Sequence, residues 1–285
     1  MLDSQIIILA LTLMAVGAAA GFSAGLFGIG GGAIIVPALY YAFGRFGYSQ
    51  DVIMHAAVAT SSATIIITSV RSASGHNKHG AVDWTLIWPG NRARDIARSW
   101  GIWIGIGSLF AAMLIARYLS GSMLTLVFGV MASIISLQLI FGRPDWQLAK
   151  QVPNGGLIVP SVGVVVGSLS ALMGIGGGAF CVTLMVLCGK NIHRAIGTAS
   201  AIGLFISLPA TLGFVVSGLG VAGRPAYSLG YVNLLGLVFI AGMSFLFIPL
   251  GVKTAHKTSQ KYMRIIFGLC LFIVAVNMIR KVIMG

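Results

Sequence analysis

Long apolar runs recur along the whole chain, separated by short polar stretches that carry Gly, Pro and most of the charges. Examples are Ile6–Gly28, Ile102–Ala116, Met123–Phe141, Leu229–Val252 and Ile265–Met278. Runs of this kind suit helices that cross a hydrocarbon core of about 30 Å. The pattern predicts an all-α, polytopic membrane protein with 8–10 membrane segments. Composition agrees: only 8% of residues are charged and 58% are hydrophobic. A soluble domain has about 25% charged residues, so most of the outer surface must face lipid. The first 44 residues carry a single charge, Asp3, so no cleavable signal peptide is expected.

The chain is written twice. Gly21–Ala33 reads GFSAGLFGIGGGA and Gly167–Ala179 reads GSLSALMGIGGGA. Farther on, AVATSSA (residues 57–63) parallels AIGTASA (195–201), and GAVD (80–83) parallels GYVN (230–233). The shared order predicts a first membrane repeat at 1–142 and a second at 155–285. A polar, Gly- and Pro-containing linker, 143–154, would join them in the cytoplasm. Each half holds a glycine-broken apolar stretch (4–43; 155–189) and then a helix bearing Thr and Ser (52–73; 194–217). Two more helices follow in each (about 99–117 and 121–141; 229–252 and 262–283).

Charge then orients the chain. Basic residues cluster at Arg71, Lys78, Arg92, Arg94 and Arg98, at Arg143 and Lys150, at Lys190 and Arg194, and at Lys253, Lys257, Lys261 and Arg264. The positive-inside rule puts all four clusters in the cytoplasm. That arrangement holds only if the halves run in opposite senses, as inverted repeats, with both termini outside the cytoplasm; Arg280 and Lys281 count mildly against it. A net charge of +13 does not point to nucleic acid here, because the basic residues sit in loops between apolar runs.

The break itself, Gly28-Ile29-Gly30-Gly31-Gly32, is a poor helix interior, because each Gly costs up to about 1 kcal/mol relative to Ala. Non-helical backbone at membrane depth must be buried in protein or line a wet cavity. The apolar stretch after it, 30–43, is about 21 Å long as helix. Its counterpart after Gly174–Gly178 is equally short. Paired short, glycine-broken segments point to a transporter binding site. Helices beginning at Gly30–Gly32 and at Gly176–Gly178 would offer unpaired N–H groups and the positive ends of their dipoles to an anion. A competing role is close helix packing. A dinucleotide fingerprint through Gly28, Gly30 and Ala33, with Asp51 downstream, is rejected: the context is membrane helix and the second copy has no such acid.

On the helix after each break, Thr60 and Ser62 match Thr198 and Ser200. The functional reading is donation to a bound oxyanion; the plainer one is bonding to the helix's own carbonyls. No carboxylate falls in the middle of a predicted span, which favours an anion over a cation or a proton relay. His55 and His193 lie near helix starts, as expected of interfacial residues. Cys181, Cys188 and Cys270 fit no metal spacing and are expected to pack as small apolar residues.

As a set, the paired GIGGGA segments, AVATSSA, AIGTASA and HGAVDW (His79–Trp84) resemble the sulfite exporter TauE/SafE family along nearly the whole chain. That resemblance implies export of small anions such as sulfite or organosulfonates. By the same analogy Gly28–Gly32, Thr60, Gly174–Gly178 and Thr198 are candidate site positions. The chain departs from the family in having Ala59-Thr60-Ser61 where Gly-Thr-Ser is common, and in a longer, more basic segment at Asn91–Arg98.

The expectation is therefore a multi-pass protein of the cell (inner) membrane, a secondary transporter of small sulfur-containing anions working outward. Its substrate-binding residues would be Gly28, Gly30, Gly31, Gly32, Thr60, Ser62, Gly174, Gly176, Gly177, Gly178, Thr198 and Ser200. The alternatives are a passive anion channel and a non-transporting scaffold. Expected partners are a small anionic substrate, the lipid bilayer and a coupling ion, proton or sodium. Nucleic acid, a cofactor, a metal and enzymatic activity are not expected.

Overall fold

The computed structural model describes residues 2–28, 30–142, 149–255, 257 and 260–284. Ile29 of the first break, Arg143 and Asp145 of the linker, and His256 lie outside the described residues, as do the side chains of Asp3, Arg94 and Arg264. The chain is helical almost throughout. Helix α1 (Leu2–Phe27) ends at the first break, and α2 (Gly32–Arg45) and α3 (Gln50–Asn77) follow. Two short helices, α4 (Trp84–Ile87) and α5 (Ala93–Arg98), lie within the basic loop. Helix α6 (Trp100–Phe110) passes through a π-turn, Ala111–Ile115, into α7 (Ala116–Tyr118), and α8 (Gly121–Phe141) completes the half. The second half comprises α9 (Ile158–Met173), α10 (Gly178–Leu187), α11 (Ile192–Gly218), a small hairpin β1 (Ser228–Leu229) and β2 (Val232–Asn233), α12 (Leu234–Ala255) and α13 (Gln260–Met284).

Seven of the described helical stretches are long and apolar enough to cross a membrane: those within α1, α3, α6 to α7, α8, α11, α12 and α13. Helices α9 and α10 are apolar and shorter. Large side chains such as Ile134 on α8, Leu246 on α12 and Ile273 on α13 stand outward, more than half exposed, as a lipid-facing surface requires. Helix α3 is the exception: 89% of its span is buried, against 22% for α13, so it runs through the centre. The hydroxyl-bearing helices begin alike. The side chains of Ser49 and Asn191 accept the amide two residues on, at 3.3 and 2.9 Å, and start α3 and α11.

Two boundaries differ from the sequence expectation. Helix α12 begins at Leu234, not near residue 229, because the β-hairpin takes up residues 228–233, with Tyr227 and Gly230 at positive φ. Helix α3 runs on to Asn77 into the stretch expected to be loop.

The halves interlock rather than sit side by side. Helix α1 packs along α12 through Gly17, Gly21 and Gly25, which lie against Ile240, Ser244 and Ile248 in the same order. The counterparts repeat the contact: Gly163 and Gly167 of α9 lie on Trp103 and Ile104 of α6, and Ser168 Oγ donates to the Gly107 carbonyl at 3.0 Å. Small residues let the backbones approach closely, as membrane packing requires. The matching helices α3 and α11 run antiparallel: Ser69 meets Gly203, and Ser72 meets Ser200. So do α8 and α13, with Gly129 beside Ala275 and Ile279, and Gly268 beside Ser136 and Ile140.

This arrangement gathers the basic residues at one end. Arg71 and Lys78 of α3 share a pocket with Lys253 and Lys257. Lys190 pairs with Asp83, the Arg98 side chain lies beside Gly155, and the linker amide of Ala149 donates to Leu187 O at 3.3 Å. The positive-inside rule leads to the expectation that this end is cytoplasmic. At the other end Lys281 lies over the rings of Tyr40 and Tyr41, at 5.0 and 5.7 Å. Cys181 and Cys188 are buried, and Cys270 is exposed on the outer face.

The α1–α12 seam makes a direct prediction. A methyl group at Gly21 would overlap the Ser244 carbonyl, and one at Gly251 the Phe22 carbonyl, whereas one at Gly242 meets nothing within 4 Å. Gly21→Ala and Gly251→Ala should each cost about 1–3 kcal/mol. Both should show a lower unfolding midpoint in detergent micelles, with Gly242→Ala at or above the parent.

Candidate functional site

Both breaks are real interruptions, and both double the chain back. Gly28 keeps one helical bond, to Ala24 O at 3.0 Å, and then takes φ 68°. Gly31 caps α2 at φ 80°, a left-handed conformation that side chains rarely adopt. A methyl group there would stand 2.8 Å from the Ala20 carbonyl. In an unbroken helix those two residues would be about 16 Å apart along the axis. In the second copy Gly174 ends α9 at φ 59° and Gly177 caps α10 at φ 65°. Neither α2 nor α10 has a side-chain cap hydrogen bond at its N-terminus. Two short helices thus begin inside the protein with their first amides and dipole ends directed into it.

The breaks touch each other. Gly32 lies so close to Gly174 and Ile175 that a side chain would overlap the Gly174 carbonyl. Helices α3 and α11 clamp the pair from either side. Thr68 Oγ1 donates to Gly30 O at 3.1 Å, and Ser61 Oγ donates to Gly174 O at 2.7 Å. Ile196 O and Ser200 Oγ of α11 line Gly28, and Ile206 presses on Gly177. Each break is therefore held by its own half's hydroxyl helix and by the other half's. Ile65 and Thr68 serve the first break as their counterparts Gly203 and Ile206 serve the second.

Thr60 and Thr198 hold a second exchange. Thr60 Oγ1 accepts the amide of Asn233 at 2.9 Å, and Thr198 Oγ1 accepts the amide of Asp83 at 3.0 Å. Asp83 and Asn233 are the duplicated positions of GAVD and GYVN, so each half's threonine fastens the other half's turn. Asp83 also pairs with Lys190 and accepts from Thr85 Oγ1 at 2.6 Å. Burial alone would raise its carboxyl. The hydrogen bonds from Lys190 and Thr85, with the Lys190 charge, hold it below the usual carboxylate range instead.

Ser62 and Ser200 donate to their own helices, to Val58 O and Ile196 O, both at 2.9 Å. Ser200 also meets Ser72 Oγ at 3.1 Å, and Ser72 bonds Ala24 O at 3.2 Å. Thus the sequence-predicted positions take different roles in the structure. The glycines form the breaks, the threonines join the halves, and Ser62 and Ser200 bond along their own helices.

Sequence reasoning missed two buried serine hydroxyls. Ser170 and Ser207 are 0% and 1% exposed, and neither hydroxyl has a partner among the described residues. Ser170 Oγ would lie 3.1 Å from a methyl group on Gly177, beside the start of α10. Ser207 is one turn beyond Gly203, which faces the Gly176 carbonyl. Ser170 lies inside the duplicated stretch, at the place that Ala24 takes in the first copy; that departure from the repeat was its only signal. Ser61 and Thr68, which brace the breaks, carried no sequence signal beyond being hydroxyls on the right helix.

Electrostatically the paired breaks have helix ends and hydroxyls around them, and among the described residues no acidic side chain contacts the break glycines. Among the described residues the single ion pair is Lys190–Asp83, outside the spans, and no group of three metal-ligating side chains occurs. His55, expected at an interface, is 3% exposed; its ring nitrogens meet Asp51 O and Ala116 O at 3.0 and 2.9 Å. It belongs to the packing near the start of α3.

Comparison with known proteins agrees across the chain. The family described as "Sulfite exporter TauE/SafE" matches residues 13–278. A "Probable membrane transporter protein" of Haemophilus influenzae is 34% identical over 95% of this chain and 98% of its own length. A protein of Methanocaldococcus jannaschii, also described as a probable membrane transporter, is 25% identical over 98% of both chains. One of Bacillus subtilis, likewise so described, is 29% identical over 72% of this chain and 78% of its own. No solved structure matches significantly.

The threonine exchange is testable by stability. Thr60→Val or Thr198→Val leaves a buried amide unpaired and should cost about 1–3 kcal/mol, while Thr→Ser at either site keeps the acceptor. Unfolding midpoints in micelles should order parent, Ser, Val. The Asp83–Lys190 pair should act on acidification. Its folded carboxyl is depressed, so its contribution is present above the ordinary aspartate range and is lost as pH falls through the folded value. The pair is partly exposed, so the loss should be about 1 kcal/mol or less, and absent in Asp83→Asn.

Proposed function

We propose a function from one premise: the chain belongs to the sulfite exporter TauE/SafE family. It is a multi-pass membrane transporter, the role its relatives' descriptions also carry. In our reading the cargo is a small sulfur-containing oxyanion, sulfite or an organosulfonate, moved outward by a secondary mechanism. The observation that carries this reading is the contact of the two breaks at Gly32 and Gly174, with uncapped helix starts at Gly31 and Gly177, Ser170 beside Gly177 and Ser207 a turn beyond Gly203, both serines without a partner among the described residues.

The chemistry suits an anion. Backbone amides and hydroxyls donate, the two dipoles present positive ends, and no described carboxylate opposes them. Desolvating a cation here would go uncompensated, whereas an oxyanion replaces its lost water with these donors.

The antiparallel pairing of α3 with α11, and of α8 with α13, supports an inverted repeat in which the two hairpins enter from opposite sides. Closed against each other at Gly32 and Gly174, they would part alternately toward the cytoplasm and the outside. The threonine bonds to Asp83 and Asn233 would hold the two halves in register as they move. A proton or sodium ion would supply the driving force.

Transport by proteoliposomes of sulfite, sulfoacetate, taurine and sulfate tests this. At least one sulfur oxyanion should move, and against its gradient when a proton or sodium gradient is imposed. Ser170→Ala and Ser207→Ala remove one donor each without adding bulk. Each should weaken apparent affinity roughly ten- to a hundredfold, the worth of about 1.5–3 kcal/mol for a hydrogen bond to a charged ligand. Parent-like transport by both variants would sink the site assignment, and downhill flux alone would make the protein a channel.

A further inference from the structure

At the cytoplasmic end a second cationic site lies apart from the paired breaks. Helices α3 and α12 converge there, with Gly75 set against Val252; a methyl group on Gly75 would stand 3.2 Å from that side chain. Beyond the contact they part around a cavity of about 320 Å³. Arg71 and Lys78 from α3, and Lys253 and Lys257 from the end of α12, line it, with Ser74 between them and Pro249 as an apolar wall. No acidic residue lines it.

Arg71 is the informative member. It lies six residues inside the end of α3, about 9 Å along the axis, so it sits below the loop level. Its guanidinium lies 4.7 Å from the centre of the Phe245 ring, and its Nε is buried with no partner among the described residues. A buried guanidinium nitrogen without an acceptor is costly, and an Arg at membrane depth ordinarily has an anionic partner. The described residues supply none to its Nε.

The surroundings indicate where that partner comes from. On the membrane side of the cations, Ile67 and Val70 of α3 and Phe245 and Leu246 of α12 are exposed, at 39, 53, 45 and 64%. Charge at headgroup level above open apolar surface at acyl-chain level is the profile of an anionic lipid, not of a freely dissolved ion. We propose that this cleft binds the phosphodiester headgroup of an anionic phospholipid of the cytoplasmic leaflet. Arg71 and Lys78 meet the phosphate from one side and Lys253 and Lys257 from the other. The acyl chains lie along Ile67, Val70 and Phe245. Basic pockets between helices at the cytoplasmic face have the right chemistry for such headgroups. Arg71 also stands between Thr68 and Ser72, which hold the Gly30 and Ala24 carbonyls, so a bound lipid would stiffen the helix that braces the first break.

Native mass spectrometry and thermal unfolding of the full chain in neutral detergent test the proposal. The probes are phosphatidylglycerol, phosphatidylcholine and inorganic phosphate. Phosphatidylglycerol should be retained and should raise the midpoint by several degrees, while phosphatidylcholine at equal mole fraction should not. Lys253 and Lys257 are exposed, so Lys253→Gln with Lys257→Gln should fold as the parent does and weaken retention of phosphatidylglycerol about tenfold or more. Arg71→Gln should do the same, and Arg71→Lys should recover part of the loss. Equal retention of both lipids, or parent-like retention by the double variant, would overturn the proposal. An equal upward shift from inorganic phosphate would also overturn it and assign the cleft to a free anion. None of these outcomes depends on which anion the central site carries.

Discussion

A backbone that leaves the helix inside a membrane must find hydrogen-bond partners within the protein, and here the partners come from two helices, one of each half. The Gly30 carbonyl is met by Thr68 and the Gly174 carbonyl by Ser61, both from α3. Helix α11 closes over Gly28 and Gly177 from the other side. Neither half could keep its break buried alone. The interlock of α1 with α12 and of α9 with α6 follows from this, since each half must reach across to enclose the other's interruption. It also places α3, rich in Thr and Ser, as the buried axis of the molecule.

The same constraint separates structural hydroxyls from available ones. Most of the hydroxyls around the breaks have a backbone to satisfy. Those of Thr60 and Thr198 hold the turns at Asn233 and Asp83, and those of Ser62 and Ser200 return to their own helices. What is left over is Ser170, beside an uncapped helix start, and Ser207 on α11. An anion at that point would complete a set of donors that the protein leaves open. The cytoplasmic cleft repeats the logic at lower cost, with Arg71 held on an aromatic ring rather than paired with an acid.

Much of the architecture was legible in the linear pattern. Apolar run lengths placed α6 through α8, α11 and α13 within a few residues, because in lipid a helix must be long enough to span and must satisfy its own backbone. The glycine-broken segments and the Thr/Ser helices were legible because they occur twice. The tertiary packing brings members of two of the basic clusters, Arg71 and Lys78 with Lys253 and Lys257, into one pocket. Less legible was the start of α12, since the hairpin that delays it is fastened by a bond from the Asn233 amide to Thr60, 173 positions away. Ser61, Thr68, Ser170 and Ser207 were equally hidden, because nothing in a hydroxyl's sequence position says whether its proton is already in use.

By itself, then, the sequence determined that this is a helical membrane protein whose linear pattern is written twice, with two interruptions rich in donors and poor in acids. Those properties are local: hydropathy, conformational freedom at glycine and net charge belong to segments. Only the tertiary structure decided that the two breaks meet at Gly32 and Gly174, that each half's threonine fastens the other's turn, and that Arg71 Nε has no hydrogen-bond partner among the described residues. Those facts depend on which hydrogen bonds are formed between residues more than a hundred positions apart, and hydrogen-bond satisfaction is a property of the packed whole.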